Sequence, residues 1–303
     1  MSPTATSDLL PAGFSLTGGI PTKSQDLAAS ILFIIAYFLL VPLLVLRVGR
    51  KSSRTLVLIR PAIFVTIRIA TYVIRAIQAT GNEGEGLFVA EQIFLLCGFF
   101  LLLEPFSTLV KFNLFRDWIP AGKKDNLSLL LRLIRLAVFA AIALGIYVGS
   151  QINNAMTDAS LARQLKRCRW ASSILALLII GVSLALALYA QAMGASDLRR
   201  TGYLGALAAW LLIPAVYKIV SMVDSAHPLS QAGKAVFYIL FALPEYLAAL
   251  TLLSINLETT FDIKEGTAKE KWNHKAQNEK TTGHYISPYE ESSVEHFEMS
   301  GKP

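Results

Sequence analysis

The sequence predicts an all-α polytopic membrane protein: a bundle of seven transmembrane helices, N-terminus outside and C-terminus cytosolic. Seven apolar runs fill residues 27–257, each close to the roughly 20 residues a helix needs to cross a bilayer. Hydrophobic residues make up 54% of the chain and the mean hydropathy is +0.51, values that argue against a soluble domain. The basic residues gather in the connectors between runs, and their imbalance sets the direction.

Residues 1–26 are predicted to be a short irregular tail outside the membrane. They lack the basic start and apolar stretch of a signal peptide, and Pro3, Pro11, Gly13, Gly18, Gly19 and Pro21 interrupt any helix. The seven spans are Leu27–Leu46, Leu56–Ala79, Leu87–Val110, Ser128–Gly149, Trp170–Ala192, Tyr203–Val223 and Lys234–Leu257. The second and fourth are the less apolar because they contain arginines. Residues 258–303 are polar and charged, and are predicted to be a disordered cytosolic tail. Within it, Ser287-Pro288, Tyr289 and Glu290–Glu291 resemble phosphorylation surroundings.

One set of connectors carries Arg47, Arg50, Lys51, Arg54, Lys111, Arg116, Lys123, Lys124, Arg199 and Arg200; the other carries Lys23, Arg163, Lys166, Arg167 and Arg169. The richer side is assigned to the cytosol. The four basic residues of the 150–169 loop then lie outside, against the trend. This distribution accounts for the net charge of +7 without nucleic acid as a partner. Asn126-Leu127-Ser128 fits a glycosylation sequon, but on this topology it is cytosolic and expected to be unmodified. Cys97 lies inside the third span and Cys168 before the fifth, with no metal or redox spacing. No cofactor is expected.

The second span is the most informative. Arg60, Arg68 and Arg75 fall within one arc of about 80°, and Tyr72 joins the stripe. Three arginines facing lipid would be very costly, so this face is expected to look inward. At 1.5 Å per residue, Arg68 is near the midplane of its span, with Arg75 about 10 Å outward and Arg60 about 10 Å inward. The antiparallel third span places Glu91 and Glu104 level with Arg75 and Arg60, and Glu245 in the seventh span is level with Arg68. The expected buried polar network is therefore Arg68, Tyr72, Arg75, Glu91, Glu104, Tyr217, Lys218 and Glu245. It is either a site for a headgroup or proton centred on Arg68 and Glu245, or a set of ion pairs that fixes helix register. Arg132 and Arg135 are expected to snorkel from the fourth span. Pro42, Pro61, Pro105, Pro214 and Pro244 lie in or near spans, and the last two flank Tyr217, Lys218 and Glu245 at mid-depth.

Receptor signatures are missing. The third span ends Val110-Lys111-Phe112-Asn113 rather than in an acidic-Arg-aromatic triplet, and the seventh has no Asn-Pro-x-x-Tyr. A microbial rhodopsin needs a lysine where Glu245 stands. The chain instead resembles uncharacterised fungal seven-span proteins, and more distantly the RTA-like lipid-translocating exporter and lipid-stress-resistance group. The resemblance rests on Arg68-x-x-x-Tyr72-x-x-Arg75, Glu91-Gln92, Ile213-Pro214-x-x-Tyr217-Lys218 and Leu243-Pro244-Glu245-Tyr246. The exporter group has Arg-x-x-x-Arg and a following Glu where this chain has Tyr217-Lys218.

The uncharacterised branch implies no known activity; the leading expectation is a protein that binds or moves a lipid or amphipathic small molecule, in transport, resistance or sensing. A receptor-like sensor is the first alternative. A membrane-embedded cyclase or isomerase is the second, with Glu245, Glu104 or Glu91 as its protonated carboxyl group. No Ser-His-Asp set or phosphate-binding loop supports an enzyme, and all four histidines lie outside the spans. The expected partners are membrane lipids and an amphipathic ligand, in the plasma membrane or an endomembrane.

Overall fold

The computed structural model describes residues 16–49, 56–81, 84–114, 121–194, 196–223, 230–261 and 263. The expected phosphorylation surroundings, His227 and most of the two tails lie outside these residues. Among them there is no strand. The helices are α1 (Lys23–Gly49), α2 (Ile59–Ala79), α3 (Glu85–Leu114), α4 (Ala121–Ser150), α5 (Ile152–Thr157), α6 (Ala159–Ala192), α7 (Leu198–Val223), α8 (Gln231–Phe237), α9 (Leu243–Ser254) and α10 (Leu257–Phe261). Seven helical segments are long and apolar enough to cross a membrane: α1, α2, α3, residues 126–150 of α4, α6, α7, and residues 231–254. The protein is an integral, multi-pass membrane protein.

The polarity of the bundle is inverted relative to a soluble protein. Leu32, Leu39 and Leu136 are 64%, 69% and 65% exposed, whereas Arg68, Arg75, Glu91 and Glu245 are fully buried. A broad apolar surface of this kind matches hydrocarbon. A helix suits that surroundings because it satisfies its backbone groups internally. α3 is the central helix, packed against α2, α4, α6 and α7, while α1 packs on α2 and α9. The bundle has a Gly18 end, where α2 finishes and α3 begins, and an Arg60 end, where α2 starts.

The seventh span is not a continuous α-helix. A π turn, Tyr238–Ala242, separates α8 from α9 immediately before Pro244. Proline has no backbone N–H to donate, and its ring collides with the carbonyl four residues earlier, here that of Leu240. A wider turn over those residues relieves the collision, and π turns of this sort recur at functional sites. Pro42, Pro105 and Pro214 sit inside helices that continue past them. Pro61 falls in the first turn of α2, where the missing donor is not needed.

Three expectations change. The 150–169 segment is helical rather than a loop: α5 and the start of α6 fill it. At 34 residues α6 is about 50 Å long, so it outruns the hydrocarbon core. Asp158 caps it, accepting from the amides of Ser160 (2.8 Å) and Leu161 (3.3 Å). The Ser160 hydroxyl, first among these donors, holds the Asp158 carboxyl below its usual value. Arg163 and Arg167 are exposed on this extension, whereas Arg169 is buried and donates to Thr17 Oγ1 at 3.0 Å. Second, residues 16–22 are not a loose tail. Leu16 and Thr17 are buried, and Leu16 joins a small apolar cluster with Val148, Ile152, Ala155, Ala162 and Leu165. Third, the chain after 257 folds back as α10, with Leu257, Phe261 and Ile263 buried and Phe261 against Tyr203. Arg47 of α1 donates to the carbonyls of Leu253 (3.1 Å) and Ser254 (2.7 Å), capping the C-terminus of α9.

Candidate functional site

The arginine face of α2 looks into the bundle and organises three clusters along its length. Each of its arginines meets the glutamate at its own depth.

At the Gly18 end, Arg75 bonds Glu91 of α3 and, through Nη2, Asp26 Oδ1 of α1 at 2.8 Å. Its Nη2 also donates to the Gly18 carbonyl and its Nε to Tyr238 Oη at 2.9 Å. Tyr238 in turn donates to Asp26 Oδ1 at 3.0 Å. Lys234 of α8 reaches Asp26 Oδ2 at 2.5 Å and Thr22 Oγ1 at 2.8 Å. Two cations thus face two carboxylates. Gly18 adopts φ +78°, and a Cβ there would lie 3.1 Å from Arg75 Nη1, so the N-terminal segment approaches the guanidinium as only glycine readily allows.

At mid-depth, Arg68 Nη2 lies 2.7 and 2.5 Å from the two carboxylate oxygens of Glu245. Its Nη1 donates to the Phe94 carbonyl at 3.1 Å. The guanidinium also lies over the rings of Phe64 and Phe241, at 5.2 and 5.5 Å. Gly98 of α3 makes the room: a Cβ there would be 2.9 Å from Arg68 Cζ. Lys218 of α7 is also buried in this region. Its ammonium sits 4.5 Å from the Phe99 ring centroid and 4.8 Å from that of Phe100, with the Leu96 carbonyl at 3.4 Å. Among the described residues Lys218 forms no ion pair, so cations outnumber carboxylates here. Tyr72 stacks on Phe33 and Tyr37 at 5.1 and 5.9 Å. The hydroxyls of Tyr37 and Tyr72 and Nε of Arg68 are buried without a hydrogen-bond partner among the described residues. Tyr217 packs against Phe237 and Phe241, and its hydroxyl meets the backbone of Gly18, so it belongs to the Gly18 end rather than to the Arg68 centre.

At the other end, Arg60 Nε lies 2.7 Å from Glu104 Oε2 without hydrogen-bond alignment. Arg135 Nε is 3.8 Å from Glu104 Oε1, which accepts from Thr108 Oγ1 at 3.3 Å. Arg135 is half exposed, so it extends outward while keeping this contact.

Asp26, Lys234 and Tyr238 were not among the residues singled out from sequence, yet they complete the Arg75 cluster. Asp26 and Lys234 sit at the edges of their spans, where charges are ordinary. Three arginines had already been matched to three glutamates, so no charge imbalance pointed to them. Depth counted at 1.5 Å per residue from the expected spans places both about 5 Å outward of Arg75, on the same side of the bundle but short of identifying them as its partners. Among the described residues, no three His, Cys, Asp or Glu side chains come together as metal ligands. No family model, curated protein or solved structure matches this chain.

Proposed function

We propose that this protein binds or moves a lipid or another amphipathic small molecule, and that the polar centre formed by Arg68, Lys218 and Glu245 takes its headgroup. The observation that carries this reading is the unbalanced, incompletely bonded state of the mid-depth cluster. A register device needs only paired charges, as at Arg75. Here a second cation, Lys218, rests on aromatic faces and one carbonyl, and the hydroxyls of Tyr37 and Tyr72, near Arg68, have no hydrogen-bond partner among the described residues. Leaving such groups unmet in an apolar interior is costly, which favours a polar visitor. The rings of Phe99, Phe100 and Phe241 surround the Lys218 ammonium with apolar side chains, chemistry that suits the apolar part of such a molecule. The π turn next to Glu245 supports motion at the same place, since a wide turn rearranges more readily than an unbroken helix. In the same reading the Gly18 end faces outward and the Arg60 end faces the cytosol.

The test is untargeted lipid and metabolite profiling of cells lacking the protein, complemented with wild type or with Lys218→Met. Methionine keeps the length of the side chain and removes the cation. The expected result is a lipid or amphipathic species that accumulates without the protein, is cleared by wild type, and is not cleared by Lys218→Met at equal membrane yield. Full complementation by Lys218→Met overturns the reading.

A further inference from the structure

The groove between α3 and α4 at the Arg60 end is lined by Glu104, Ser107, Thr108, Lys111, Leu131 and Arg135, with Val138 at its deep end. Arg60 closes it from α2 through its contact with Glu104. Two cations, Arg135 and Lys111, therefore share the groove with one carboxylate, which Arg60 also contacts. Glu104 contacts Arg60 and Arg135, while Lys111 is exposed and forms no ion pair among the described residues. The hydroxyls of Ser107 and Thr108 already donate, to the Leu103 carbonyl and to Glu104 Oε1. An incoming group must therefore be an acceptor that takes its bonds from Arg135 and Lys111.

Depth narrows the choice. Gly98 touches Arg68, which lies near the middle of α2. Ser107 to Lys111 are nine to thirteen residues further along α3, or about 14–20 Å. Half of a ~30 Å hydrocarbon core is ~15 Å, so the groove opens where apolar chains give way to headgroups. Leu131 and Val138 line its inner wall on α4. An apolar surface running inward from a basic mouth fits an acyl chain below a phosphate.

We infer that this groove is a binding site for the phosphate of an anionic phospholipid, held by Lys111 and Arg135. Its mouth lies about 14–20 Å along α3 from the level of the Arg68 centre, and the assignment goes beyond the function proposed above. Basic pockets between membrane helices recognise anionic headgroups through this combination of surplus charge and interfacial depth. Arg60 and Glu104 orient Arg135 rather than meet the lipid themselves.

The full-length protein in mild detergent is exposed to equal amounts of phosphatidylglycerol and phosphatidylcholine, and native mass spectrometry reads which lipid stays bound. Wild type is expected to retain phosphatidylglycerol preferentially. Lys111→Gln is expected to lower that preference about fivefold, the loss of one interfacial cation. Adding Arg135→Gln is expected to abolish it. Lys111 is exposed, so its variant leaves the packed interior untouched and decides the matter alone if the double variant gives no folded protein. Equal retention of the two lipids by wild type, or an anionic preference unchanged in Lys111→Gln, overturns the assignment. Inorganic phosphate separates the sources of the ligand. Displacement of phosphatidylglycerol by millimolar phosphate means the groove takes the free ion and overturns the lipid assignment, and resistance to it supports the lipid.

Discussion

Replacing Arg68 with methionine leaves Glu245 fully buried with its ion-pair partner gone. In the native bundle both side chains are inaccessible, and Nη2 of Arg68 is within 2.7 Å of each Glu245 oxygen. Removing one member of a buried pair destabilises by about 3–5 kcal/mol, on the order of a hundredfold or more in folded population. Glu245→Leu strands Arg68 in the same way. Changing both removes two charges that were expensive to bury, and such replacements range from neutral to stabilising. Recovery in Arg68→Met/Glu245→Leu should nevertheless be partial, because Lys218 stays buried in the same region and loses the nearby carboxylate. Adding Lys218→Met should bring it close to wild type. Fluorescence-detected size-exclusion chromatography after a temperature series measures this for all five variants, including Lys218→Met alone. The coupling between the first two sites should exceed about 1.5 kcal/mol, at the upper part of the range for side chains in contact. A double variant less stable than either single one, by the sum of their separate losses, refutes the ion-pair account.

Gly98→Ala should destabilise by about 1–3 kcal/mol, because its Cβ would meet Arg68 Cζ at 2.9 Å, and most of the loss should vanish in an Arg68→Met background on the same chromatographic assay. Asp26→Asn should lower the thermal midpoint more than Glu91→Gln does. Asp26 answers both Arg75 and Lys234, whereas among the described residues Glu91 pairs with Arg75 alone. Asp158→Ala should speed amide exchange at Ser160 and Leu161, the two amides the carboxylate caps. Since its folded pKa is lowered, that cap contributes fully above the ordinary aspartate value of 3.8 and fades as the pH falls below it. Exchange measured in wild type across that range checks the sign.

Much of this arrangement was legible in the sequence because a bilayer imposes strong rules. A helix that crosses hydrocarbon must be long and apolar, so span positions follow from composition alone. Arginines cannot face lipid cheaply, so the stripe of Arg60, Arg68 and Arg75 had to turn inward, and uniform helical rise matched each to a glutamate at its own depth. What depth counting does not carry is lateral position. Asp26, Lys234 and Tyr238 meet Arg75 because α1 and α8 both approach α2 at the Gly18 end, a packing choice with no one-dimensional signature. The N-terminal segment illustrates the same limit. Its glycines and prolines read as a free tail, yet the backbone carbonyl of Gly18 becomes a ligand of Arg75 once the bundle encloses it.

The sequence by itself determined the membrane class, the seven spans and which charges share a level, because these depend on helix geometry and on the cost of charge in hydrocarbon. Only the tertiary structure decided which charges are balanced and which are not. Both carboxylates at Arg75 are matched by cations, whereas Lys218 rests on Phe99 and Phe100 and forms no ion pair among the described residues. The π turn before Pro244 also became visible only in the folded chain. Its cause is local, the collision of a proline ring with the preceding turn, but its effect is to set Tyr238 on the Arg75 cluster and Glu245 on Arg68. Electrostatic balance depends on which helices touch, and that is settled by packing across the bundle rather than along the chain.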